Sequence, residues 1–268
     1  MERKAGPKRK RRYGLLLLDA LLLGVLVFAL VKLVTTLGDY RRSAERYDQI
    51  AEEAVRTAEP APQQTPGPDA KAAPVSEVPI TVDFDVLRAQ NPDVVGWLYC
   101  ADTPVNYPIV QGGDNDFYLD HAFDGSEDAG GTLFFDCRNR LSPLDQNLLL
   151  YGHRMKDDSM FGSVIGYTEQ DYLEAHPVLY LITEAQSYRV EVYACRTVSA
   201  NDLSHFEIAF ADEDAYMQYV SRAVSQSYWP APFGIERGYA TLTLVTCSTY
   251  THDDNPRVLV HGRLVPVT

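Results

Sequence analysis

Residues 240–264 read ATLTLVTCSTYTHDDNPRVLVHGRL. An apolar, β-branched run ends at Cys247, a polar loop (STYTHDDNP) follows, and a second apolar run opens at Arg257 directly after Pro256. Val, Thr and Leu fit a pleated surface and Asn-Pro punctuates a turn, so the stretch predicts strands over Ala240–Thr246 and Arg257–Leu264. Working outward toward the N-terminus, the same pattern predicts strands at Val94–Cys100, Val105–Val110, Gly131–Phe135, Asn147–Tyr151, Val178–Thr183 and Tyr188–Thr197. Glu184–Ser187 reads as the tip of a hairpin. A short helix over Asp83–Gln90 stops at Asn91-Pro92. The clearest helix is Asp212–Ser227, with acids in its first turn and Tyr216, Tyr219, Val220 and Ala223 on one face. Eight short strands with few helices predict a mainly β fold, a closed or nearly closed antiparallel-type barrel.

The chain has 268 residues and is 46% hydrophobic, enough for one sizeable core. Its net charge of −13 is unevenly spread. Residues 1–12 hold seven basic residues against Glu2, and the remaining 17 basic and 36 acidic residues leave a net charge of −19. An acidic body argues against nucleic acid as the main partner, because phosphate binding needs a basic face.

The segment after the basic block explains it better. Residues 14–31 (GLLLLDALLLGVLVFALV) contain one charge, Asp19, and the apolar stretch runs on to about Leu37 if Lys32 snorkels. Asp19 costs at most about 2.5–3.5 kcal/mol, and less near a helix end. The reading is a basic cytoplasmic tail over 1–13 and an uncleaved, single-pass membrane anchor over 14–37, with the remainder extracellular by the positive-inside rule. A cleaved signal peptide is the rival, but VTTLGDYRRSAE (34–45) offers no convincing small-x-small cleavage site. Residues 38–79 are expected to be a stalk and linker. RRSAERYDQIAEEAVRTA (41–58) reads as helix, and 59–79 contain six prolines and read as a semi-extended spacer. The folded domain is expected over 80–268.

Four cysteines (Cys100, Cys137, Cys195 and Cys247) permit disulfides in three pairings, but none has metal-ligand spacing. Cys100 and Cys195 lie in apolar strand contexts, as buried small hydrophobes do. Cys247 sits at a strand end before a polar loop, a rigid mount for a nucleophile and equally a place for a structural thiol. A nucleophilic cysteine needs a proton carrier and an oxyanion stabiliser. Of six histidines, His153 also ends a strand (NLLLYG) and precedes a polar stretch. His121, His176 and His205 lie in connections, His252 in the loop after Cys247, and His261 within the last strand. Arg257 opens the strand that follows Cys247, so pairing of the two strands would bring them together. Taken singly, each of these residues also has an ordinary structural reading.

As an ordered set they resemble a known family. Thr243-Leu244-Val245-Thr246-Cys247 resembles the TLxTC signature of sortases, and His153 and Arg257 fall where that family's His and Arg fall. FDVLRAQNPDVVGWL (84–98), NDFYLDH (115–121), GGTLFFDCRN (130–139), NLLLYGHRMKDDSMFG (147–162) and the helix 212–227 resemble the class B branch specifically. The resemblance covers essentially 80–268. It implies a closed eight-stranded sortase-type β-barrel with N-terminal helices and an extra helix between later strands. It also implies a cysteine transpeptidase on a Gram-positive cell surface, which cleaves a Pro-x-Thr sorting signal of a surface protein after Thr. The acyl group then passes through a Cys247 thioacyl intermediate to an amine of peptidoglycan precursor or a pilin lysine. His153 is the implied acid and base, and Arg257 is implied to stabilise the oxyanion or to position the substrate backbone. No metal or organic cofactor is implied.

Asn115 and Leu119 match positions that line the substrate groove in class B relatives, and a helix cap and a core contact are their equally weighted alternatives. Thr246 is read either as pocket lining or as a plain strand residue. Some relatives carry an acid two residues after the cysteine, where this chain has Thr249, with Asp253 or Asp254 as the alternative acid, and Ser199–Phe206 offers no specificity pattern to carry over. Two other functions remain in view. A cysteine hydrolase differs by using water to resolve the acyl enzyme, and a non-catalytic surface module would tolerate Cys247→Ala.

Overall fold

The computed structural model describes residues 8–58, 78–247 and 256–267. The chain opens with helix α1 (Lys8–Ala54) and divides into two compact units, Met1–Arg42 and Ser43–Thr268. The first unit carries the apolar stretch. Among the described residues this is the one helix long and apolar enough to cross a membrane, by length and composition. Its large side chains, Leu21 and Phe28 among them, are exposed.

The second unit starts earlier than the sequence suggests. The expected stalk is in part a docked helix: Tyr47, Ile50 and Ala54 recur at helical spacing and are buried. After them, β1 (Val55–Thr57) pairs antiparallel with β2 (Ile80–Val82). The burial of this stripe and that pairing explain why the unit begins at Ser43 and not near Ile80. Residues 59–77, which hold most of the Pro-rich spacer, lie outside the described residues.

Helix α2 (Phe84–Gln90) begins where Asp83 accepts the Asp85 and Val86 backbone N–H groups at 3.1 and 3.2 Å. The barrel strands follow as β3 (Val94–Tyr99), β4 (Asn106–Val110), β5 (Leu133–Phe135) and β6 (Asn147–His153). After helix α3 (Gln170–Ala175) come β7 (Val178–Ile182) and β8 (Ser187–Ser199), joined as the expected hairpin. Helix α4 (Glu213–Ser225) precedes β9 (Thr241–Cys247) and β10 (Pro256–Val267). These eight strands close in the order β10-β8-β7-β3-β4-β5-β6-β9.

The barrel is mixed, where the sequence suggests an antiparallel type. β4 pairs β5 in parallel, and so does β6 with β9. Parallel neighbours need long crossovers. The segments 111–132 and 154–240 supply them, the second carrying α3, the β7–β8 hairpin and α4. Helix α4 covers the barrel with the face expected of it: Tyr216, Tyr219, Val220 and Ala223 are buried against Tyr193 and Ala194 of β8. Asp212 caps it by accepting the Ala215 N–H at 2.8 Å.

Gly152 is the last residue before His153, and there is no room for a side chain on it. A Cβ there would lie 2.5 Å from Leu133 Cδ2 and 2.6 Å from Phe161 Cδ2. Gly152→Ala should therefore overpack the site, costing about 1–3 kcal/mol. At the size of this domain that is a melting point lower by about 5 °C. Thermal unfolding checks it, and an unchanged melting point would mean that β6 shifts freely.

Candidate active site

The ends of three adjacent strands bring the three candidate chemical residues together. β6 and β9 run parallel and in register from Asn147↔Thr241 to His153↔Cys247. Neighbouring strands lie about 4.8 Å apart, so the backbones of His153 and Cys247 stand side by side. β9 and β10 are antiparallel with Leu259 opposite Val245. This pairing runs from Leu259↔Val245 to Arg263↔Thr241, and Arg257 lies two residues before Leu259 on β10. Arg257 is half-buried and pairs on its other side with Val198 of β8.

Thr246 supports this junction. Its hydroxyl accepts the Val258 N–H at 3.0 Å and donates to the Val258 carbonyl at 3.4 Å, and the residue is fully buried. Thr246 thus stitches β9 to β10 one position before Cys247. Beneath the junction Leu149, Val198, Val245 and Leu259 form a buried apolar floor, with Tyr151, Phe206 and Ile208 packed against it.

His153 is half-buried, and its Nε2 lies 2.5 Å from the main-chain carbonyl of Leu119. A carbonyl only accepts, so Nε2 carries the proton and Nδ1 is the nitrogen left to give or take one. The His153 carbonyl accepts the Phe161 N–H at 2.8 Å, which ties the strand end to the following loop. Leu119 thus sits at the candidate site, half-buried, and it meets His153 through its backbone. This contact has no residue-type signal, because any residue offers a carbonyl. Asn115 lies at the start of the same segment, where its Oδ1 accepts the Cys137 N–H at 2.7 Å. It links the loop before Leu119 to the loop after β5.

The other histidines have different surroundings. His121 stacks on Phe117, with ring centroids 4.0 Å apart, and its Nδ1 contacts Asp120 Oδ1 at 2.6 Å. His205 has its pKa lowered by burial and by Arg196. His261 is fully buried against Arg196 and Thr243, and burial holds its pKa far below the usual value. Burial thus disfavours the charged form of His261, and none of its surface is exposed. His252, Thr249, Asp253 and Asp254 lie outside the described residues.

Cys100, Cys137 and Cys195 are free thiols. Cys100 and Cys195 are buried, as their strand contexts suggest, and burial pushes the Cys195 thiol up to about 12. Such thiols are poor nucleophiles, since the thiolate is the reactive form. Cys137 is exposed. Among the described residues no three His, Cys, Asp or Glu groups converge as a metal ion would require.

Comparison with known proteins agrees with this architecture. The family model described as a sortase domain matches residues 98–265. Sortase B of Listeria monocytogenes is 34% identical over 179 residues, covering 67% of this chain and 72% of that protein. Sortase B of Staphylococcus aureus is 27% identical over 185 residues, covering 69% and 75%. The crystal structure of sortase B from Bacillus anthracis superposes with a TM-score of 0.70 at 28% identity, covering 86% of this chain and 99% of that one. A Staphylococcus aureus sortase B–substrate complex gives a TM-score of 0.66 at 27% identity, covering 69% and 85%.

Proposed function

Since the chain belongs to the sortase family, in its class B branch, and is a cysteine transpeptidase, we propose that Cys247, His153 and Arg257 carry its reaction. The observation that supports this most directly is the β6–β9–β10 register, which gathers their three strand ends. In this reading the Cys247 thiol gives its proton to His153 Nδ1, and the resulting thiolate attacks the carbonyl carbon of Thr in a Pro-x-Thr sorting signal. The oxygen becomes an oxyanion, and the Arg257 guanidinium stabilises it. The C–N bond then breaks as His153 delivers a proton from Nδ1 to the leaving amine, and a thioester remains on Cys247. An incoming amine attacks the thioester, His153 takes the amine's proton, and the thiolate leaves.

Asn115 and Leu119 line the groove in which the signal lies, and Thr246 holds the Cys247 backbone in place. The donor is a surface protein bearing a C-terminal signal. The acceptor is an amine of a peptidoglycan precursor or a pilin lysine. A sortase B solved as a complex with triglycine supports an α-amine of that kind as acceptor. The basic N-terminus is cytoplasmic, the apolar part of α1 is a single-pass anchor, and the catalytic unit faces outward. Positive charge before the span supports this topology.

The test is incubation of the full-length protein in detergent with a Pro-x-Thr peptide library, with and without triglycine, followed by intact-mass spectrometry. The expected result is an acyl adduct on Cys247, and a peptide–triglycine product only when the amine is present. Hydrolysed peptide alone in the presence of amine would favour a hydrolase. No adduct with any peptide on folded protein would remove the catalytic reading of Cys247.

A further inference from the structure

A main-chain carbonyl holds the His153 ring, so whatever fixes the Leu119 carbonyl also fixes the imidazole. Leu119 ends a 3₁₀ helix of three residues, Phe117–Leu119, which is too short to hold itself. The Tyr118 hydroxyl anchors it on one side by donating to Asp93 Oδ2 at 2.8 Å and accepting from Asn91 Nδ2 at 2.9 Å. On the other, the Tyr118 carbonyl accepts the Thr132 N–H at 3.0 Å. Gly131, at φ +58°, lies against both carbonyls. A Cβ at Gly131 would stand 2.5 Å from the Tyr118 oxygen and 2.7 Å from the Leu119 oxygen. Only glycine permits both the backbone angle and this approach.

The Gly131–Thr132 peptide is in turn held by α1. The Tyr47 hydroxyl donates to the Gly131 carbonyl at 2.5 Å and lies 2.9 Å from Thr132 Oγ1. Thr132 Oγ1 passes the chain on to the His121 carbonyl at 2.9 Å. Tyr47 is 3% exposed, and burial keeps its hydroxyl protonated and therefore a donor. Arg46 fixes the same loop by donating to Asp128 Oδ2 at 2.9 Å, while the Asp128 carbonyl accepts the Gly131 N–H at 2.9 Å.

We propose that Tyr47 and Gly131 are positioning residues for His153: Tyr47 clamps the Gly131–Thr132 peptide, Gly131 abuts the Leu119 carbonyl, and that carbonyl orients the imidazole with Nδ1 toward the reaction. The proposal rests on the reading of His153 as proton carrier. It assigns to the N-terminal helix of the second unit a part in the chemistry. Loss of the Tyr47 hydroxyl frees the peptide to shift and loosens the ring, which lowers turnover more than it weakens peptide binding.

The test uses the full-length protein in detergent with a peptide substrate and triglycine, in four forms: unmodified, Tyr47→Phe, Ile50→Ala and His153→Ala. Ile50 is buried on the same helix face but has no part in the clamp. Tyr47→Phe is expected to lower kcat about tenfold, with KM within about twofold, as a small misplacement of a catalytic group does. The ¹⁵N signals of His153, assigned by their loss in His153→Ala, should show that Nε2 no longer carries the proton exclusively. Ile50→Ala should lower the melting point and leave kcat and those signals unchanged. If Tyr47→Phe does not fold, Thr132→Val removes the Thr132 contact of the Tyr47 hydroxyl but leaves its bond to the Gly131 carbonyl, and should lower kcat in the same direction by a smaller factor. Normal kcat and unchanged ¹⁵N signals in Tyr47→Phe, with His153→Ala inactive, would overturn the proposal alone. An equal loss of kcat in Ile50→Ala would reduce Tyr47 to a packing role and overturn it too. Retained activity in His153→Ala would overturn the proton-carrier reading itself.

Discussion

Cys247→Ala is expected to lower kcat/KM for transpeptidation by at least about 10⁴-fold, because the covalent route is lost and water is a poor substitute for a positioned thiolate. The acyl adduct seen by mass spectrometry should vanish with it. The variant should fold, since the removed atom is one sulfur at a strand end and the β9 pairings are made by backbone groups. The described thiols sharpen the experiment. Cys100 and Cys195 are buried, with pKa values raised by burial, so neither should replace Cys247. Cys137 is exposed and is the thiol that could be acylated by accident. The measurement is therefore made also in a Cys137→Ser background. An adduct that survives Cys247→Ala but disappears with Cys137→Ser would assign the acyl group to the wrong loop and sink the proposed mechanism.

The second large effect is expected at His153. With an amide-bonded sorting peptide, His153→Ala should reduce kcat/KM about 10³-fold, the range of a lost general acid. The loss has a chemical signature. The amine leaving group of a peptide departs only after protonation, whereas a thiophenol leaves as a stable anion. A thiophenyl ester of the same peptide should therefore acylate His153→Ala at a rate within about tenfold of the unmodified protein, since general-acid help is no longer needed. Equal losses on both substrates would mean that His153 only activates Cys247 or shapes the strand end, and is not the acid for the leaving group. A His153→Ala protein as active on peptide as the original would exclude His153 from the reaction.

Much of the barrel was legible because strand and helix periodicities are local. The runs at Asn147–Tyr151 and Ala240–Thr246 were visible as β-branched or apolar stretches, and both became barrel strands. The buried face of α4 followed from 3.6-residue spacing alone. Parallel pairing of β6 with β9 was not legible. Which strands neighbour one another depends on crossovers of many residues, and local patterns do not encode them. The docking of α1 was partly legible. Tyr47, Ile50 and Ala54 stand at helical spacing, but acids and arginines between them gave the segment the look of a solvated stalk.

The candidate site divides along the same line. His153, Cys247 and Arg257 were proposed from the sequence through their ordered resemblance to the sortase pattern, since each residue alone also has an ordinary structural reading. The carbonyl that holds His153, the glycine against that carbonyl and the tyrosine that clamps the glycine could not be proposed. Backbone oxygens carry no residue identity, and the segments 47, 119, 131 and 153 are far apart along the chain. The sequence by itself determined most of the barrel strands, where the apolar N-terminal stretch lies and which side chains are available for chemistry. Only the tertiary structure decided that β6, β9 and β10 end together, that Thr246 bonds β10, and that α1 reaches His153 through Gly131. Those are consequences of long-range register and close backbone approach, which exist only once the barrel has closed.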